Sequence, residues 1–351
     1  RLLRPIEETQ ALAQFTELTF GRDPDCVSDQ TLQSRLSFEE SELRVYLARL
    51  GAEKAVPHRC APAAAWRLSA EPVARRLAEV LDTSLQAGAP GHLAGELKDA
   101  RLAYIPKPGK PPRSAEALRP LGIISPLGKS LAGAVSRRIK AELEEVVRNS
   151  PQFAYMAGRS THNAIVRVLQ HFAAVQERRP KGASNIQMRH AATAGPAQMR
   201  RASGLTVSMD MTRAFDTVPR EALYQSLRDL GASEDIILVT RRLREQAMYE
   251  VGPSHRSIPV RSTTGIKQGC TLAPTLWMCF SITIAEKIQR IMESGGGGGG
   301  DRSRDSSGSD SSHTWYADDL ILSWLFETPS ELEDARQQIG SILQLLKETS
   351  S

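Results

Sequence analysis

Two neighbouring carboxylates, Asp318 and Asp319, stand in the run HTWYADDLILSW at residues 313–324. An aromatic and apolar stretch leads into them and a second apolar stretch leads out. The pattern predicts a strand, a tight polar turn and a returning strand, with both aspartates at the turn. Adjacent carboxylates at a hairpin tip repel one another, and a divalent cation held between them relieves that repulsion. A solvated Asp-Asp turn is the plainer alternative. A third carboxylate, Asp210, ends the alternating run LTVSMD at residues 205–210. Brought next to Asp318 by strand pairing, it would supply the acidic ligands that a site for two Mg²⁺ ions needs. The chemistry of such a site is in-line phosphoryl transfer, in which little beyond positioning and charge stabilisation is asked of the protein.

These residues need elements to hold them. Downstream of Asp210, the stretch MTRAFDTVPR reaches Pro219, where a helix carrying Ala222, Leu223, Leu227 and Leu230 begins, to close at Gly231. Asp216 in that stretch reads as a hydrogen-bonding residue that caps the following helix rather than as a ligand. Phe215 reads either as a core residue at the junction or as a ring that shapes a pocket. Upstream, Leu102 to Ile105 and Leu121 to Ile124 are short apolar runs separated by a loop rich in Pro, Gly and Lys, the pattern of paired strands with a stiffened tip. Lys107, Lys110, Arg113 and Arg119 there form a solvated face or a clamp on phosphates. A helix is expected over about 129–148 with Leu131, Val135, Ile139 and Leu143 as its buried stripe. The turn Gly158-Arg159-Ser160-Thr161 then opens another, as a cap or as a contact to a template backbone.

Further out the signals are plainer. Residues 1–37 show no clear period and are expected to be a poorly structured lead-in. A capped amphipathic helix follows Ser37 and closes at Gly51, and another covers about 70–87 with Val73, Leu77, Val80, Leu81 and Leu85 as its packing face. Residues 180–204 and 294–312 read as loops, the second a flexible Gly/Ser linker, and residues 331–346 as a helix.

Composition bounds the class. The chain of 351 residues is long enough for two or three lobes, and 40% hydrophobic residues is ordinary for a globular protein. A formal charge of +5 leans toward polyanionic partners. Cys26, Cys60, Cys270 and Cys279 form no CxxC pair, which argues against a zinc site or a disulfide framework and for a reducing, intracellular compartment, nucleus or cytoplasm. No signal-peptide layout is present, and the longest apolar run, Leu272 to Ala285, is too short to span a bilayer, so no membrane partner is expected. The chain starts without Met and is expected to be a fragment.

Taken in order, Asp210, Phe215 five residues on, Gln268-Gly269 with Pro274 behind it, and Tyr316-Ala317-Asp318-Asp319 resemble a reverse transcriptase, most similar to those of non-LTR retrotransposons and group II introns. IPKPGKP, LRPLGI and AGRST upstream resemble the fingers motifs of that family, so the likeness runs from about residue 38 to the end. The resemblance implies an α+β fold with right-hand polymerase fingers and palm, the antiparallel palm sheet backed by helices. It implies an N-terminal lead-in and helical extension at 1–90, and a reverse transcriptase domain at 91–351. Within that domain it sets fingers at about 91–204 and palm at about 205–351, with loop insertions at 180–204 and 294–312. It implies a catalytic and metal-binding set of Asp210, Asp318 and Asp319, with two Mg²⁺ ions that Mn²⁺ can replace. Lys107 and Arg119 would contact the triphosphate, Gln268 and Gly269 would lie against the incoming nucleotide, and Tyr316 would approach the primer end. RNA template, DNA primer and dNTP are the implied partners.

An aromatic ring at Phe215 under the sugar would exclude a 2′-hydroxyl, which sets a DNA-synthesising enzyme against an RNA-directed RNA polymerase. A decayed copy kept as an RNA-binding domain is the other alternative. By the same resemblance the chain stops before the lysine-bearing motif and the thumb, so alone it is expected to be a poor polymerase.

Overall fold

The computed structural model describes residues 4–21, 36–85, 93–109, 117–177, 203–211, 213–253, 255–294 and 311–349. In chain order the elements begin with α1 (Arg4–Phe20), α2 (Glu40–Ala48), α3 (Ala63–Leu68), α4 (Ala70–Leu85) and α5 (Gly95–Lys98). Then come β1 (Ala100–Pro106), β2 (Leu118–Ile124), α6 (Pro126–Glu142), α7 (Glu144–Asn149), α8 (Thr161–Glu177), β3 (Ser203–Asp210) and α9 (Ala214–Thr217). The rest are α10 (Arg220–Asp229), α11 (Glu234–Arg242), β4 (Ala247–Val251), β5 (Ile258–Ser262), α12 (Ala273–Ser294), β6 (Ser311–Tyr316), β7 (Asp319–Phe326) and α13 (Pro329–Thr349). Among the described residues no helix is long and apolar enough to cross a membrane. The described residues form two compact units, one from the ranges 1–146 and 213–280 and the other from 147–212 and 281–351.

The first unit holds a four-stranded sheet in the order β2-β1-β4-β5, in which β1 and β4 are parallel and the other pairs antiparallel. The expected hairpin at 101–124 is this β1–β2 pair; its tip, with Lys110 and Arg113, lies outside the described residues. Leu102, Ile124, Tyr249, Val251 and Val260 form the apolar face of the sheet, and α1 adds Ala13 and Phe20 to it. The N-terminal segment is therefore not the unstructured lead-in that its pattern suggested. Its buried residues are Thr9, Ala13, Thr16, Thr19 and Phe20, so three of the five are threonine and do not register as apolar. Packing is possible because the hydroxyls are satisfied internally: Thr16 Oγ1 donates to Leu12 O at 2.6 Å and Thr19 Oγ1 to Phe15 O at 2.7 Å. The carbonyl of Phe20 then accepts the Thr263 and Thr264 N–H groups at 2.6 and 2.9 Å, which seats the end of α1 beside β5.

The helices of this unit depart from expectation at their ends. The first predicted cap, Ser37, gives way to Glu39, whose N–H is taken by the Glu42 carboxylate at 3.1 Å. In α4 the buried face is Ala70, Ala74, Leu77, Leu81 and Leu85, while Val80 is exposed. The helix expected over 129–148 starts earlier, at Pro126 behind the Ser125 cap, and breaks at Leu143 into α6 and α7.

The second unit is a three-stranded antiparallel sheet in the order β3-β7-β6, with Trp315, Leu320, Leu322 and Trp324 buried. Helix α8 packs on all three strands and α13 on β7. Gly204 is what lets α8 so close: a Cβ there would stand 2.6 Å from Val175 Cγ2 and 3.0 Å from His171 Nε2. Trp324 Nε1 donates to Gln338 Oε1 at 2.7 Å, and Gln338 Nε2 passes the chain on to Met292 O at 3.1 Å. The expected loops at 180–204 and 294–312 fall almost wholly outside the described residues, which resume at Ser203 and Ser311.

Two predictions follow from this packing. Phe20 is 2% exposed and meets Tyr249 edge to face at 5.1 Å, so Phe20→Ala should cost about 3–5 kcal/mol of stability, read as a lowered urea midpoint. His313 on β6 is buried, its Nδ1 has no hydrogen-bond partner among the described residues, and burial together with the Arg167 charge pushes its pKa down to about 4. Because that lies below the unfolded value near 6.5, the stability this site contributes is complete above 6.5 and is lost as pH falls toward 4. The loss is about 3 kcal/mol, and His313→Phe should flatten the pH dependence of unfolding in that window.

Candidate active site

The carboxylate hairpin lies wholly in the second unit. Strand β6 ends at Tyr316 and β7 begins at Asp319, leaving Ala317 and Asp318 as a two-residue turn, with Ala317 at φ 56°. Positive φ in such turns matches the right-handed twist of the flanking strands, and is more often met with Gly or Asn. Pairing of β3 with β7 sets Asp210 directly across from Asp319, and Tyr316 lies across from Asp319 on the other side. This corrects the expectation that strand pairing brings Asp210 beside Asp318. The turn consumes Asp318, so Asp319 becomes the first strand residue, and Asp318 meets the end of β3 through its carbonyl, which accepts Met211 N–H at 3.3 Å.

Asp210 and Asp319 are exposed and Asp318 is half-buried. Partial desolvation first, then the charges of Asp318 and Asp210, raise the pKa of Asp319. Three hard oxygen donors on adjacent chain ends are the donor class that suits Mg²⁺ or Mn²⁺. Among the described residues, however, no three His, Cys, Asp or Glu side chains are gathered tightly enough to hold an ion. The carboxylates are thus neighbours by backbone and by field without converging. Tyr155, at φ 65°, joins them: its phenol is pushed up by burial and then by the negative charge of Asp318 and the nearby Tyr316. Nothing in its sequence context marks it.

The other expected residues lie in the first unit. Arg119 on β2 pairs with Ile105, and Lys107 follows β1, its N–H donating to Ala117 O at 2.8 Å. Both act electrostatically on Asp216, as does Arg213. Asp216 is buried, and that burial raises its pKa against the lowering effect of Gln268 and the three cations. Its expected role as a helix cap is not met. Asp216 lies inside α9, α10 has Pro219 at its N-cap position, and the carboxylate instead accepts Gln268 Nε2 at 2.7 Å.

Gly269, at φ 91°, is there for closeness: a Cβ would stand 2.4 Å from Gly122 O, and Gly122 N–H donates to Gln268 O at 2.8 Å. The loop of Gln268 and Gly269 is therefore docked backbone to backbone on β2. Below it Lys267 is buried, donates to the Lys98 carbonyl, and is held by that burial down to about 7. Phe215 is half-buried, its ring stacked on buried Trp277 at 5.2 Å and its carbonyl bonded to Ile266 N–H at 2.6 Å. It is neither wholly in the core nor free of it.

In the GRST turn the hydrogen bonds are internal to the chain. Arg159 donates to Ser150 O at 2.6 Å and to Gln152 O at 2.7 Å and lies over the Phe153 ring, while Ser160 N–H and hydroxyl both reach Asn163 Oδ1. These groups brace the chain ahead of α8.

Residues 105–348 match the family model described as reverse transcriptase (RNA-dependent DNA polymerase). The chain is 25% identical over 185 residues to a probable RNA-directed DNA polymerase from transposon BS of Drosophila melanogaster, covering 52% of this chain and 18%, about a fifth, of that protein. Its structure is similar to apo telomerase from Candida tropicalis truncated from its C-terminal domain (TM-score 0.49, 11% identity, 74% of this chain and 49% of that one). It is similar also to telomerase from Candida albicans in complex with a TWJ fragment of telomeric RNA (TM-score 0.47, 13% identity, 73% and 41%). The family match covers well over half of the sequence, and the chain belongs to the reverse transcriptase (RNA-dependent DNA polymerase) family.

Proposed function

We propose that this chain carries the polymerase centre of a retroelement RNA-directed DNA polymerase, which extends a DNA primer on an RNA template with dNTPs. The observation that supports it most is the strand register that sets Asp210 across from Asp319, with Asp318 at the adjoining tip. Fingers, about 91–204, and palm, about 205–351, are assigned by motif, with 1–90 as a helical extension; each compact unit draws on both ranges.

Enzymes of this family generally use divalent metal ions. Asp210, Asp318 and Asp319 would hold two Mg²⁺, or Mn²⁺ in their place, and the bound ions would activate the primer hydroxyl and neutralise the leaving oxygen. The chain's own residues supply the rest. Lys107 and Arg119 would take the triphosphate oxygens; Arg119 offers a planar fork and Lys107 a point charge, both on strand-anchored backbone that needs little ordering. Asp216 would hold Gln268 in place against the incoming nucleotide, with Gly269 allowing the close approach. The Phe215 ring, braced on Trp277, would exclude a 2′-hydroxyl, and Tyr316 would approach the primer end. Orientation of this kind converts a bimolecular encounter into a near-attack geometry.

The decisive experiment is primer extension on an RNA template, with Mg²⁺ and either dNTPs or NTPs, by a protein that contains this chain. DNA synthesis is expected, and Asp210→Asn should lower its rate by about a hundredfold or more. Residual extension within tenfold of the parent would sink the metal assignment. In single-nucleotide kinetics, Phe215→Val should raise ribonucleotide over deoxyribonucleotide use on the order of tenfold. An unchanged ratio would return Phe215 to the core and reopen the choice of RNA synthesis.

A stability measurement tests the carboxylates separately. The folded pKa of Asp319 is raised, so the folded state binds the extra proton, and stability falls as pH rises through the carboxylate range. In chelator and low salt at pH 7, Asp319→Asn should raise Tm on the order of 1 °C, a gain that disappears below the carboxylate range. A lowered Tm would mean that the Asp319 charge is stabilised by a partner rather than opposed by its neighbours.

A further inference from the structure

We infer that Gln152 is a positioning residue for the carboxylate tip, acting through Ala317 to fix the peptide that carries Asp318; this rests on the reading of Asp210, Asp318 and Asp319 as the metal-binding set. Gln152 is fully buried and its amide is saturated. Its Oε1 accepts Ala317 N–H at 3.1 Å and Ala154 N–H at 2.9 Å. Its Nε2 donates to Ala317 O at 3.3 Å and to Ser281 Oγ at 2.9 Å. One side chain thus holds both backbone polar groups of the residue that turns the hairpin.

That residue is the strained one. Ala317 sits in the left-handed region at φ 56°, where a residue with a Cβ persists only when its surroundings over-determine it. The amide of Gln152 acts as an additional peptide group laid against the turn, with a donor and an acceptor at the spacing the Ala317 backbone requires. Asparagine would fall one methylene short, and a carboxylate would lack the donor. On the far side of Asp318, Met211 N–H bonds the Asp318 carbonyl at 3.3 Å. The Asp318 backbone is therefore flanked by two hydrogen-bonded anchors, Ala317 before it and Met211 beyond it.

Gln152 is itself held. Its backbone bridges Trp315 on the free side of β6: Trp315 N–H donates to Pro151 O at 3.0 Å and Phe153 N–H to Trp315 O at 2.9 Å. Arg159 bonds the carbonyls of Ser150 and Gln152 at 2.6 and 2.7 Å. The chain from Arg159 through Gln152 to Ala317 is a continuous support that ends one residue from Asp318. It brings no charge to the tip, so it orients the carboxylate without competing for its ligand.

The test uses a protein that contains this chain and extends primers, with Mn²⁺ binding followed by loss of the free-ion electron paramagnetic resonance signal, alongside kcat and KM for dNTP. Gln152→Met, close in volume and without hydrogen bonds, should weaken Mn²⁺ binding about tenfold and lower kcat about tenfold or more, with KM for dNTP within threefold. Ser281→Ala, which removes a bond of the same amide but none to Ala317, should leave Mn²⁺ affinity within twofold. If Gln152→Met does not fold, Gln152→Asn, neutral and one methylene short of Ala317, is measured in its place and should show the same loss of Mn²⁺ affinity. Wild-type Mn²⁺ affinity in the folded variant, or equal losses in Ser281→Ala, would overturn the inference. Asp318→Asn measured in parallel separates the two levels. If it leaves Mn²⁺ binding and extension intact, the metal reading itself is wrong; if it abolishes them while Gln152 variants do not, only the positioning role is wrong.

Discussion

Like charges placed directly across a strand pair oppose the pairing, and the second unit places Asp210 and Asp319 in that relation at the end of its sheet, with Asp318 beside them. What holds the sheet together is therefore everything behind the tip. The ladder from Ser203 with Phe326 to Asp210 with Asp319 runs without interruption, and it rests on buried Trp315, Leu320, Leu322 and Trp324. Burial of these side chains from water is the main favourable contribution, since a hydrophobic side chain gains about 1.5–3 kcal/mol when fully buried. The repulsion is confined to the solvent end, where water screens it most. Moving it one register step inward would set it against the apolar face and turn every side chain of the strand over.

In the first unit the electrostatic arrangement is inverted. One buried carboxylate, Asp216, lies in the field of Arg213, Lys107 and Arg119, and a neutral amide fixes its direction. Three cations acting on a single anion leave net positive charge there, in keeping with the mild overall basicity. The precision of the arrangement comes from backbone. Gly122 and Gly269 remove the Cβ atoms that would otherwise keep the Gln268 loop off β2, so the loop's position is set by the strand rather than by side chains.

Much of this was legible in the sequence because the informative residues are ones that local chemistry forces. Alternation in LTVSMD and the apolar runs around Asp318 and Asp319 announced β3, β6 and β7, and Pro219 and Gly231 bracketed α10 correctly. The losses have physical causes. α1 hid because threonine buries well once its hydroxyl bonds its own helix, and a hydrophobic period cannot see that. The partner of Asp210 was misplaced because β3 and β7 are distant in sequence and their register is set by tertiary packing, which local spacing does not report. Asp216 was read as a cap because local spacing was the only guide, whereas its partner Gln268 is 52 residues away. Gln152 gave no signal at all, since its four bonds are all fixed by tertiary structure.

That the decisive positioning groups are glutamines follows from the charges they sit among. An arginine or lysine at Gln152 would reach the Ala317 carbonyl, but it would also neutralise the tip and compete with any cation for Asp318. A glutamate would add negative charge where three carboxylates already raise one another's energy, and it would leave the Ala317 carbonyl without a donor. The amide offers donor and acceptor together at zero net charge, so it can impose geometry while leaving proton and ion affinities to the carboxylates. In the first unit Gln268 applies the same logic: it orients Asp216 without cancelling the charge that Arg213, Lys107 and Arg119 act upon. Gln338, bridging Trp324 to Met292 behind the sheet, uses donor and acceptor in the same way and ties the strand behind Asp319 to the helix carrying Met292. An unmade bond on a buried amide is costly, so Gln152, with all four of its bonds made, demands its partners in full and passes that demand on to the backbone it holds.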